Sequence, residues 1–409
     1  MNLVSKKLRK FVCKQFVTKP YKKSRLMKFL KKTILWFVLF LTTLIVLAYI
    51  FKVDYLLKAV RTIYIKGHQT AYLEDYKEFD NGTITKSDVA QPWAIHKNYN
   101  KIKATPALEQ LHKQLGTVAF LIIKNDSIWH ESYYDGFDKN SKSNSFSMAK
   151  SIVSASLGKA IMEGKIKSLD QLVSDFFPVF KEGKSAKMTV GDLSSMASGL
   201  NWDEAYYSPF SITTRAYFTD DLSKVILGLK GVDEPGQKYK YLSGNTQLLA
   251  MVIEKATGES LPNYVSKNFW KPMGAENDAL WQTDKKGGIV KAFCCIASDA
   301  RDFARFGKLY KQYGKWNGKQ LLDSTFIAKS ITPRFKASPE YGYGWWLSDY
   351  KGKKIFYMRG HLGQYVIVIP EDELIIVRLG NEKGLQTKKS PHSDDFFVYI
   401  DETYKMLTQ

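Results

Sequence analysis

The chain is poor in the residues that build disulfide frameworks and metal centres. Three cysteines occur among 409 residues, namely Cys13 and the adjacent pair Cys294 and Cys295. An exported protein that relied on disulfides would carry more of them at wider spacings, and a bond between neighbours is strained, so we expect two buried thiols in the pair. The six histidines show no metal-ligand spacing. The sequence therefore predicts no metal site and no cofactor.

Two further absences concern acidic residues and a hydrolase motif. Residues 1–32 contain no Asp or Glu and carry twelve of the basic residues behind the formal net charge of +21. The basicity is therefore largely a property of this tail, where membrane topology and attraction to anionic lipid explain it better than nucleic-acid binding. The Gly-x-Ser-x-Gly elbow of α/β-hydrolases occurs nowhere in the chain.

A long apolar run follows the basic tail. Thr33 to Phe51 is nineteen residues without a charge, which is enough to cross a bilayer core of about 30 Å as a helix. The flanking positive charge precedes the run, so the positive-inside rule places residues 1–32 in the cytoplasm and the chain after Lys52 outside. A cleaved signal peptide is the alternative, but the run is too long and lacks a small-residue cleavage site. We expect an uncleaved single-pass signal anchor, residues 33–51, in a bacterial inner membrane.

The remaining chain predicts a stalk and one large domain. Residues 52–104 are mixed and turn-rich, typical of a stalk or linker that packs on the domain. Within residues 105–409, Val118 to Ile123 and Ile128 to Tyr134 indicate a hairpin. Strand-like runs, among them Tyr343 to Leu347 and Tyr365 to Ile369, return in the last third after a helix-rich middle. The predicted fold is α+β, with an antiparallel sheet formed by both ends of the domain, flanking helices and an inserted helical subdomain.

The pattern Ser-x-x-Lys occurs three times, at Ser147, Ser156 and Ser348. On a helix, residues i and i+3 share a face, so Lys150 can reach Ser147. Ser156 lies nine residues further along the same predicted helix and faces the opposite side, while Ser348 falls in a strand followed by a turn. Ser147 follows a polar stretch and precedes an apolar run, which places it at a helix N-terminus. A capping serine beside a solvated lysine is the simpler alternative.

Two downstream segments follow Ser147 in an order that resembles a known family. Tyr241-Leu-Ser243 comes after a Pro235-Gly236 turn, and His361-Leu-Gly363 precedes a strand-like run. With Ser-x-x-Lys, they resemble the class C and esterase branches of the serine β-lactamase and penicillin-binding-protein superfamily. The similarity covers about Pro106 to the C-terminus. It implies the fold of that superfamily and a catalytic cleft between sheet and helical region.

The resemblance implies a role for each position. Ser147 would attack a carbonyl group and become acylated, and Lys150 would assist its deprotonation. Tyr241 would act as base and then as acid toward the leaving group, with the cationic Lys150 making a phenolate accessible. The oxyanion hole would consist of the backbone N–H groups of Ser147 and Gln364. Ser243, His361 and Gly363 would line the substrate site.

Two departures narrow the expected substrate. Ser243 stands where the family pattern has asparagine, and His361 stands where it has lysine. A mostly neutral histidine weakens the case for β-lactams or peptidoglycan stems that end in a carboxylate. Trp270 to Ala275 and Ala292 to Ile296 resemble the branch that contains 6-aminohexanoate-dimer hydrolase, which implies small amide or ester substrates. Aromatic candidates for the cleft lining are Trp202, Tyr206, Tyr207, Trp345 and Trp346.

Three hypotheses follow from the sequence. The leading one is a membrane-anchored serine hydrolase that acts on small amide, ester or peptide-like substrates on the periplasmic or extracytoplasmic side through a Ser147 acyl-enzyme. A D-alanyl-D-alanine carboxypeptidase or β-lactamase of the cell envelope is the second. A non-catalytic envelope binding protein is the third, although retention of Lys150 and Tyr241 beside Ser147 argues against decay. The oligomeric state stays open.

Overall fold

A computed structural model describes residues 21–387 and 390–409. The described residues divide into two compact units, one that ends at Val60 and one that begins at Arg61. The first unit contains the helices Tyr21–Ile50 and Tyr55–Ala59. Leu26–Ile50 is a candidate membrane span, because its mean hydropathy is 2.4 and none of its apolar window is buried. It begins earlier than the expected 33–51 because the basic residues before Thr33 are good helix formers that extend the same helix. The rest of the predicted tail, including Cys13, lies outside the described residues.

The second unit contains two main sheets and a small hairpin. Its strands are β1 (Asn81–Ile84), β2 (Ala94–Ile95), β3 (Thr117–Lys124), β4 (Ser127–Tyr133), β5 (Ser143–Asn144), β6 (Ala279–Gln282), β7 (Ile296–Ser298), β8 (Lys315–Trp316), β9 (Lys319–Gln320), β10 (Trp346–Tyr350), β11 (Lys353–Arg359), β12 (Tyr365–Ile369) and β13 (Leu374–Gly380). The large sheet has the order β10-β11-β12-β13-β3-β4-β2. All of its neighbours are antiparallel except β2 and β4. β13, near the C-terminus, pairs with β3, so the two ends of the domain form one sheet as predicted.

The second, four-stranded sheet is antiparallel and has the order β1-β6-β7-β5. A separate hairpin joins β8 to β9. β1 belongs to the segment expected as a stalk, and its Ile84 is fully buried. Part of residues 52–104 is therefore an integral edge of a sheet in the second unit.

Helices cover both faces of the large sheet. Ala300–Lys311 packs against β12, β13 and β3 on one face, and Pro106–Gln114 and Asp394–Leu407 bury apolar side chains on the other. The α-helices of the second unit are Pro106–Gln114, Ala149–Met162, Val190–Ser194, Ile212–Phe218, Leu222–Leu227, Ser243–Thr257, Leu261–Val265, Ala300–Lys311, Ser324–Ser330 and Asp394–Leu407. Short 3₁₀ or π turns of this unit are Asp75–Glu78, Phe146–Met148, Val173–Asp175, Pro178–Phe180, Gly183–Lys187, Ser266–Trp270 and Pro370–Asp372, and the π turn Val60–Tyr64 spans the boundary at Val60. The α+β fold predicted from the sequence is confirmed.

Two local predictions were wrong. The strand expected over Tyr343 to Leu347 begins only at Trp346, because Gly344 has a φ of 80° and leaves the extended region. A Cβ at Gly344 would lie 2.4 Å from the Ser154 Cβ, so this turn presses against the helix that follows Ser147.

Cys294 and Cys295 are joined in a disulfide, whereas two thiols were expected. The reason is a tight turn from Lys291 to Cys294. The Cys294 N–H donates to the Lys291 carbonyl at 3.1 Å, and Cys295 adopts a left-handed φ of 80°. This turn brings the adjacent side chains together inside the protein, where both residues are buried.

Candidate active site

Ser147 lies in the single 3₁₀ turn Phe146–Met148, directly before the helix Ala149–Met162. Phe146 and Met148 are buried, whereas Ser147 is partly exposed. The Phe146 N–H donates to Asn144 Oδ1 at 2.8 Å, and Phe146 has a left-handed φ of 44°. The serine therefore stands at the start of the helix on a bent turn and is partly exposed.

Lys150 is buried beside Ser147, with 2 % of its surface exposed. Its Nζ donates to Ser147 Oγ at 2.9 Å and to the Phe293 carbonyl at 2.7 Å. Burial lowers the pKa of Lys150 to about 8, and the Glu204 carboxylate opposes this lowering. An amine that can lose its proton near neutral pH is therefore in direct contact with the serine hydroxyl.

Tyr241 lies just before the helix Ser243–Thr257, with its ring 5.1 Å from Lys150 Nζ and 5.5 Å from the Trp346 ring. Burial raises the pKa of Tyr241 above its ordinary value, Glu204 raises it further, and a hydrogen bond with Ser147 lowers it. Lys150 does not offset the effect of burial. These pKa directions favour a protonated phenol and make the neutral amine accessible near pH 8, whereas the sequence led us to expect an accessible phenolate.

Ser243 is engaged with a carboxylate that the sequence analysis missed. The Ser243 N–H donates to Glu204 at 2.8 Å, and its hydroxyl donates to the same side chain at 2.5 Å. The Tyr206 hydroxyl also donates to Glu204. Glu204 lies in the loop before the helix Ile212–Phe218 and belongs to none of the recognised motifs. Serine in place of the family's asparagine therefore couples the second motif to this loop.

His361 follows β11 and faces an aromatic cluster. Its ring centroid lies 4.5 Å from that of Tyr206, 6.1 Å from that of Tyr207 and 6.3 Å from that of Phe146. Burial lowers the pKa of His361 to about 4, and the charges of Lys383, Arg359 and Lys150 lower it in the same direction. His361 is therefore neutral at pH 7, as expected from its type.

Gly363 and Gln364 form the turn between β11 and β12. The carbonyl of Gly363 accepts a hydrogen bond from Arg378 at 2.9 Å. The Gln364 side chain is buried and donates to the Gly380 carbonyl at 2.7 Å. At the start of this turn, a Cβ at Gly360 would lie 2.6 Å from the Ser145 carbonyl oxygen. The turn is therefore packed against the Ser147 segment, and the Gln364 side chain holds the turn itself.

Two cations near His361 were also missed. Arg359 stacks on Trp346, with 4.1 Å between its guanidinium carbon and the ring centroid, and donates to the Pro391 carbonyl at 2.7 Å. Together with Lys383, Arg359 places positive charge near His361. We had expected this charge to be missing, because His361 stands where the family has lysine. The sequence signal was weak, because neither residue belongs to a motif. Within residues 21–387 and 390–409, no group of three or more His, Cys, Asp or Glu could hold a metal ion.

The aromatic candidates divide between core and surface. Trp345 is fully buried, with its ring 4.3 Å from Tyr310, so its expected place in the cleft lining was wrong. Trp202 is also buried, and its ring lies 6.2 Å from that of Phe293. Tyr207 is 75 % exposed near His361.

Fold and motif order together define the class of the protein. The Beta-lactamase family model matches residues 101–392. The chain belongs to this family of serine hydrolases, which also includes penicillin-binding-protein-like members.

Particular relatives refine this assignment. The 6-aminohexanoate-dimer hydrolase of Paenarthrobacter ureafaciens is 24% identical over 300 residues, which cover 68% of this chain and 75% of the relative. A solved structure from Bacillus anthracis, assigned as a 6-aminohexanoate-dimer hydrolase, has a TM-score of 0.67 at 22% identity and covers 82% of this chain and 92% of its own. A penicillin binding protein from Bacillus halodurans has a TM-score of 0.58 at 16% identity, covering 73% and 99%. At these identities the solved structures establish the fold alone.

Proposed function

We propose that the protein is a membrane-anchored serine hydrolase that cleaves small amide or ester substrates through an acyl-enzyme on Ser147. The observation that carries the proposal is the 2.9 Å contact between Lys150 Nζ and Ser147 Oγ. A buried amine with a lowered pKa can accept the serine proton, while the hydroxyl itself stays accessible.

In the proposed acylation, Ser147 Oγ attacks the acyl carbon and its proton passes to the neutral Lys150 amine. The backbone N–H groups of Ser147 and Gln364 stabilise the negative oxygen that forms. Tyr241, protonated because its pKa is raised, donates its proton to the leaving nitrogen or oxygen as that bond breaks. The proton held by Lys150 then restores Tyr241. In deacylation, a water molecule takes the place of the leaving group and the same proton transfers run in the opposite direction. The bond between the acyl carbon and Ser147 Oγ then breaks, and the acid is released.

The proposed substrate class rests on the surroundings of Ser147 and on the relatives. Tyr206 and Tyr207 offer apolar surface beside His361, and the buried Trp346 packs against Tyr241. The relative from Paenarthrobacter ureafaciens is named for hydrolysis of a 6-aminohexanoate dimer. We therefore favour short linear amides and esters as substrates of this chain.

A D-alanyl-D-alanine carboxypeptidase or β-lactamase is the second candidate, and one observation favours it. Arg359 and Lys383 lie close enough to His361 for their charges to lower its pKa. Two cations beside this position could attract a substrate carboxylate even without the family's lysine.

A substrate panel separates the two candidates. The full-length chain, purified in detergent, is incubated with nitrophenyl esters, short linear amides, labelled penicillin and a peptide ending in D-alanyl-D-alanine. Our proposal predicts turnover of the esters and amides and little or no acylation by penicillin. Acylation by penicillin without turnover of any linear amide or ester would contradict the proposal and favour the second candidate.

The proposed topology places residues 1–32 in the cytoplasm, residues 33–51 in the membrane and the domain of residues 105–409 outside, with residues 52–104 between them. The uncharged run and the basic residues ahead of it support this orientation. Protease added outside intact spheroplasts is expected to digest the domain. Protection of the domain until the cells are lysed would contradict this orientation.

The pH dependence of kcat/KM is expected to report on Lys150. The neutral amine is the active form, so kcat/KM rises with pH through an inflection near the Lys150 pKa of about 8. Because the pKa of Tyr241 is raised, no loss is expected until well above that inflection. The measurement is ester hydrolysis between about pH 6 and about pH 10, with the values of kcat/KM corrected for spontaneous hydrolysis.

Glu204→Gln tests the cause of this inflection. The Glu204 charge raises the Lys150 pKa, so its removal is expected to move the inflection to lower pH by about one unit. Glu182→Gln is the control, because Glu182 is exposed and outside the site. An inflection that stays in place in Glu204→Gln, or that moves equally in both variants, would contradict the assignment to Lys150.

A further inference from the structure

A buried carboxylate lies behind the turn that carries Ser147. Asp75 is fully buried and begins the short helix Asp75–Glu78, in the segment that the sequence assigned to a stalk. Its Oδ1 accepts hydrogen bonds from Asn144 Nδ2 at 2.9 Å and from Gln282 Nε2 at 2.7 Å, and its Oδ2 accepts one from the Tyr217 hydroxyl at 2.6 Å. Burial of a carboxylate is costly unless such donors surround it.

Asn144 links this carboxylate to the nucleophile turn. Its backbone N–H donates to the Leu73 carbonyl at 2.8 Å, so the segment around Asp75 contacts both the main chain and the side chain of Asn144. Because Nδ2 is directed to Asp75, Oδ1 is the atom left for the Phe146 N–H, at 2.8 Å. Asp75 therefore selects the orientation of the Asn144 amide.

The conformation that this amide holds is unfavourable by itself. Phe146 has a left-handed φ of 44°, which costs a bulky residue on the order of 1–3 kcal/mol. A hydrogen bond to its N–H is the kind of partner that keeps such a residue in place. Ser147 is the next residue, so the direction of its Oγ depends on this bend.

The second sheet fixes the other side of the same turn. The Ser145 N–H donates to the Ile296 carbonyl at 2.7 Å, and the Ile296 N–H donates to Ser145 Oγ at 3.1 Å. Gln282, the second amide on Asp75, lies in β6 of that sheet. The carboxylate thus connects this sheet, through Gln282, with the turn, through Asn144.

We infer that Asp75 is a positioning residue for the Ser147 nucleophile, acting through the Asn144 amide and the bend at Phe146. The inference rests on the proposed function of Ser147. It adds that the segment between the apolar helix and the catalytic motifs is part of the machinery that aims the serine.

The test compares Asp75→Asn with Asp80→Asn in the full-length chain. The first substitution removes the negative charge that attracts the Asn144 and Gln282 amides and replaces one acceptor oxygen by an NH₂ group, which must face either these amides or the Tyr217 hydroxyl. The hold of position 75 on the Asn144 orientation is therefore expected to weaken. We expect kcat for ester hydrolysis to fall by about 10²-fold with KM changed by less than about threefold. Asp80 is exposed in the same segment, and Asp80→Asn is expected to leave both parameters unchanged.

The exchanged pair Asp75→Asn with Asn144→Asp is the rescue variant. The carboxylate introduced at position 144 can accept from the Phe146 N–H with one oxygen and from the amide introduced at position 75 with the other. The double variant is expected to regain about tenfold of the lost kcat. All kcat values are divided by the number of sites that react with a fluorophosphonate. A loss of folded protein is therefore not counted as a loss of activity. Unchanged kcat per reactive site in Asp75→Asn, or no recovery in the double variant, would overturn the inference.

Hydrogen exchange separates this inference from the proposed function. Peptides that cover residues 143–148 are expected to exchange faster in Asp75→Asn than in the wild type or Asp80→Asn. If the wild type neither hydrolyses esters nor reacts with the probe, the proposed function fails, and the exchange rates alone decide whether Asp75 holds the turn. Equal rates in the three proteins would overturn that role.

Discussion

Ser147→Ala is expected to lower kcat/KM for ester hydrolysis by roughly 10⁴-fold or more, since residues that act as one catalytic unit lose most of their effect when the nucleophile is removed. The substitution deletes one oxygen, which contacts Lys150 Nζ at 2.9 Å. The residual rate is expected to come from substrate binding alone. Steady-state kinetics of the full-length chain provide the measurement.

Ser156→Ala is the matched control, because Ser156 belongs to the second Ser-x-x-Lys pattern in the same helix. Its hydroxyl is buried and donates to the Ile152 carbonyl of its own helix at 2.9 Å. We expect kcat/KM to stay within about twofold, since this hydrogen bond is local. Equal losses in the two variants, or substantial activity in Ser147→Ala, would show that the serine was misidentified.

Lys150→Met is expected to abolish turnover and at the same time to stabilise the protein. Loss of the base at Ser147 lowers kcat/KM by about 10³-fold or more. Burial lowers the Lys150 pKa from 10.5 to about 8, which corresponds to about 3 kcal/mol of destabilisation by the protonated form. The lost bond to the Phe293 carbonyl offsets about 1 kcal/mol of the gain, so we expect the free energy of unfolding to rise by about 2 kcal/mol at pH 7.

The pH dependence of this gain follows from the sign of the shift. Between pH 8 and pH 10.5 the unfolded chain holds the Lys150 proton and the folded chain has released it, so raising the pH favours the folded wild type. Below pH 8 both states are protonated and the full penalty applies. The advantage of Lys150→Met is therefore expected to be largest at about pH 7 and to disappear towards about pH 10.

Thermal unfolding at these two pH values measures the difference. Lys159→Met is the control, because Lys159 lies in the same helix and forms a weak ion pair with Glu163 at 3.7 Å. Its melting temperature is expected to change little at either pH. A Lys150→Met variant that melts below the wild type at neutral pH would contradict the pKa direction of Lys150.

Much of the architecture could be predicted because local patterns determine it. β12 begins at Tyr365 and ends at Ile369, the run of β-branched residues that the sequence marked. The uncharged run before Lys52 forms one helix. The three motifs of the site could be ordered from the sequence because each depends on residues within a few positions of each other.

The rest depends on contacts between distant residues. Asp75 meets Asn144 and Gln282, which lie 69 and 207 positions away. Glu204 reaches Ser243 from a loop without regular spacing. No period or motif marks either carboxylate, so only the folded chain identifies them.

The pKa directions in the site could not be predicted from the sequence either. Charge counting suggested that Lys150 would lower the Tyr241 pKa, but burial dominates and raises it. Likewise, His361 in place of lysine suggested a loss of positive charge, but Arg359 lies near enough to affect both His361 and Tyr241. The depth of each group and its neighbours across the fold decide these directions.

Reaction with a fluorophosphonate, followed by peptide mass spectrometry, tests the central claim most directly. The account predicts a single phosphonyl adduct on the peptide that contains Ser147, formed faster as the pH rises through the Lys150 pKa of about 8 and absent from Ser147→Ala. No adduct on a folded chain, or an adduct on a different serine such as Ser156, would contradict it.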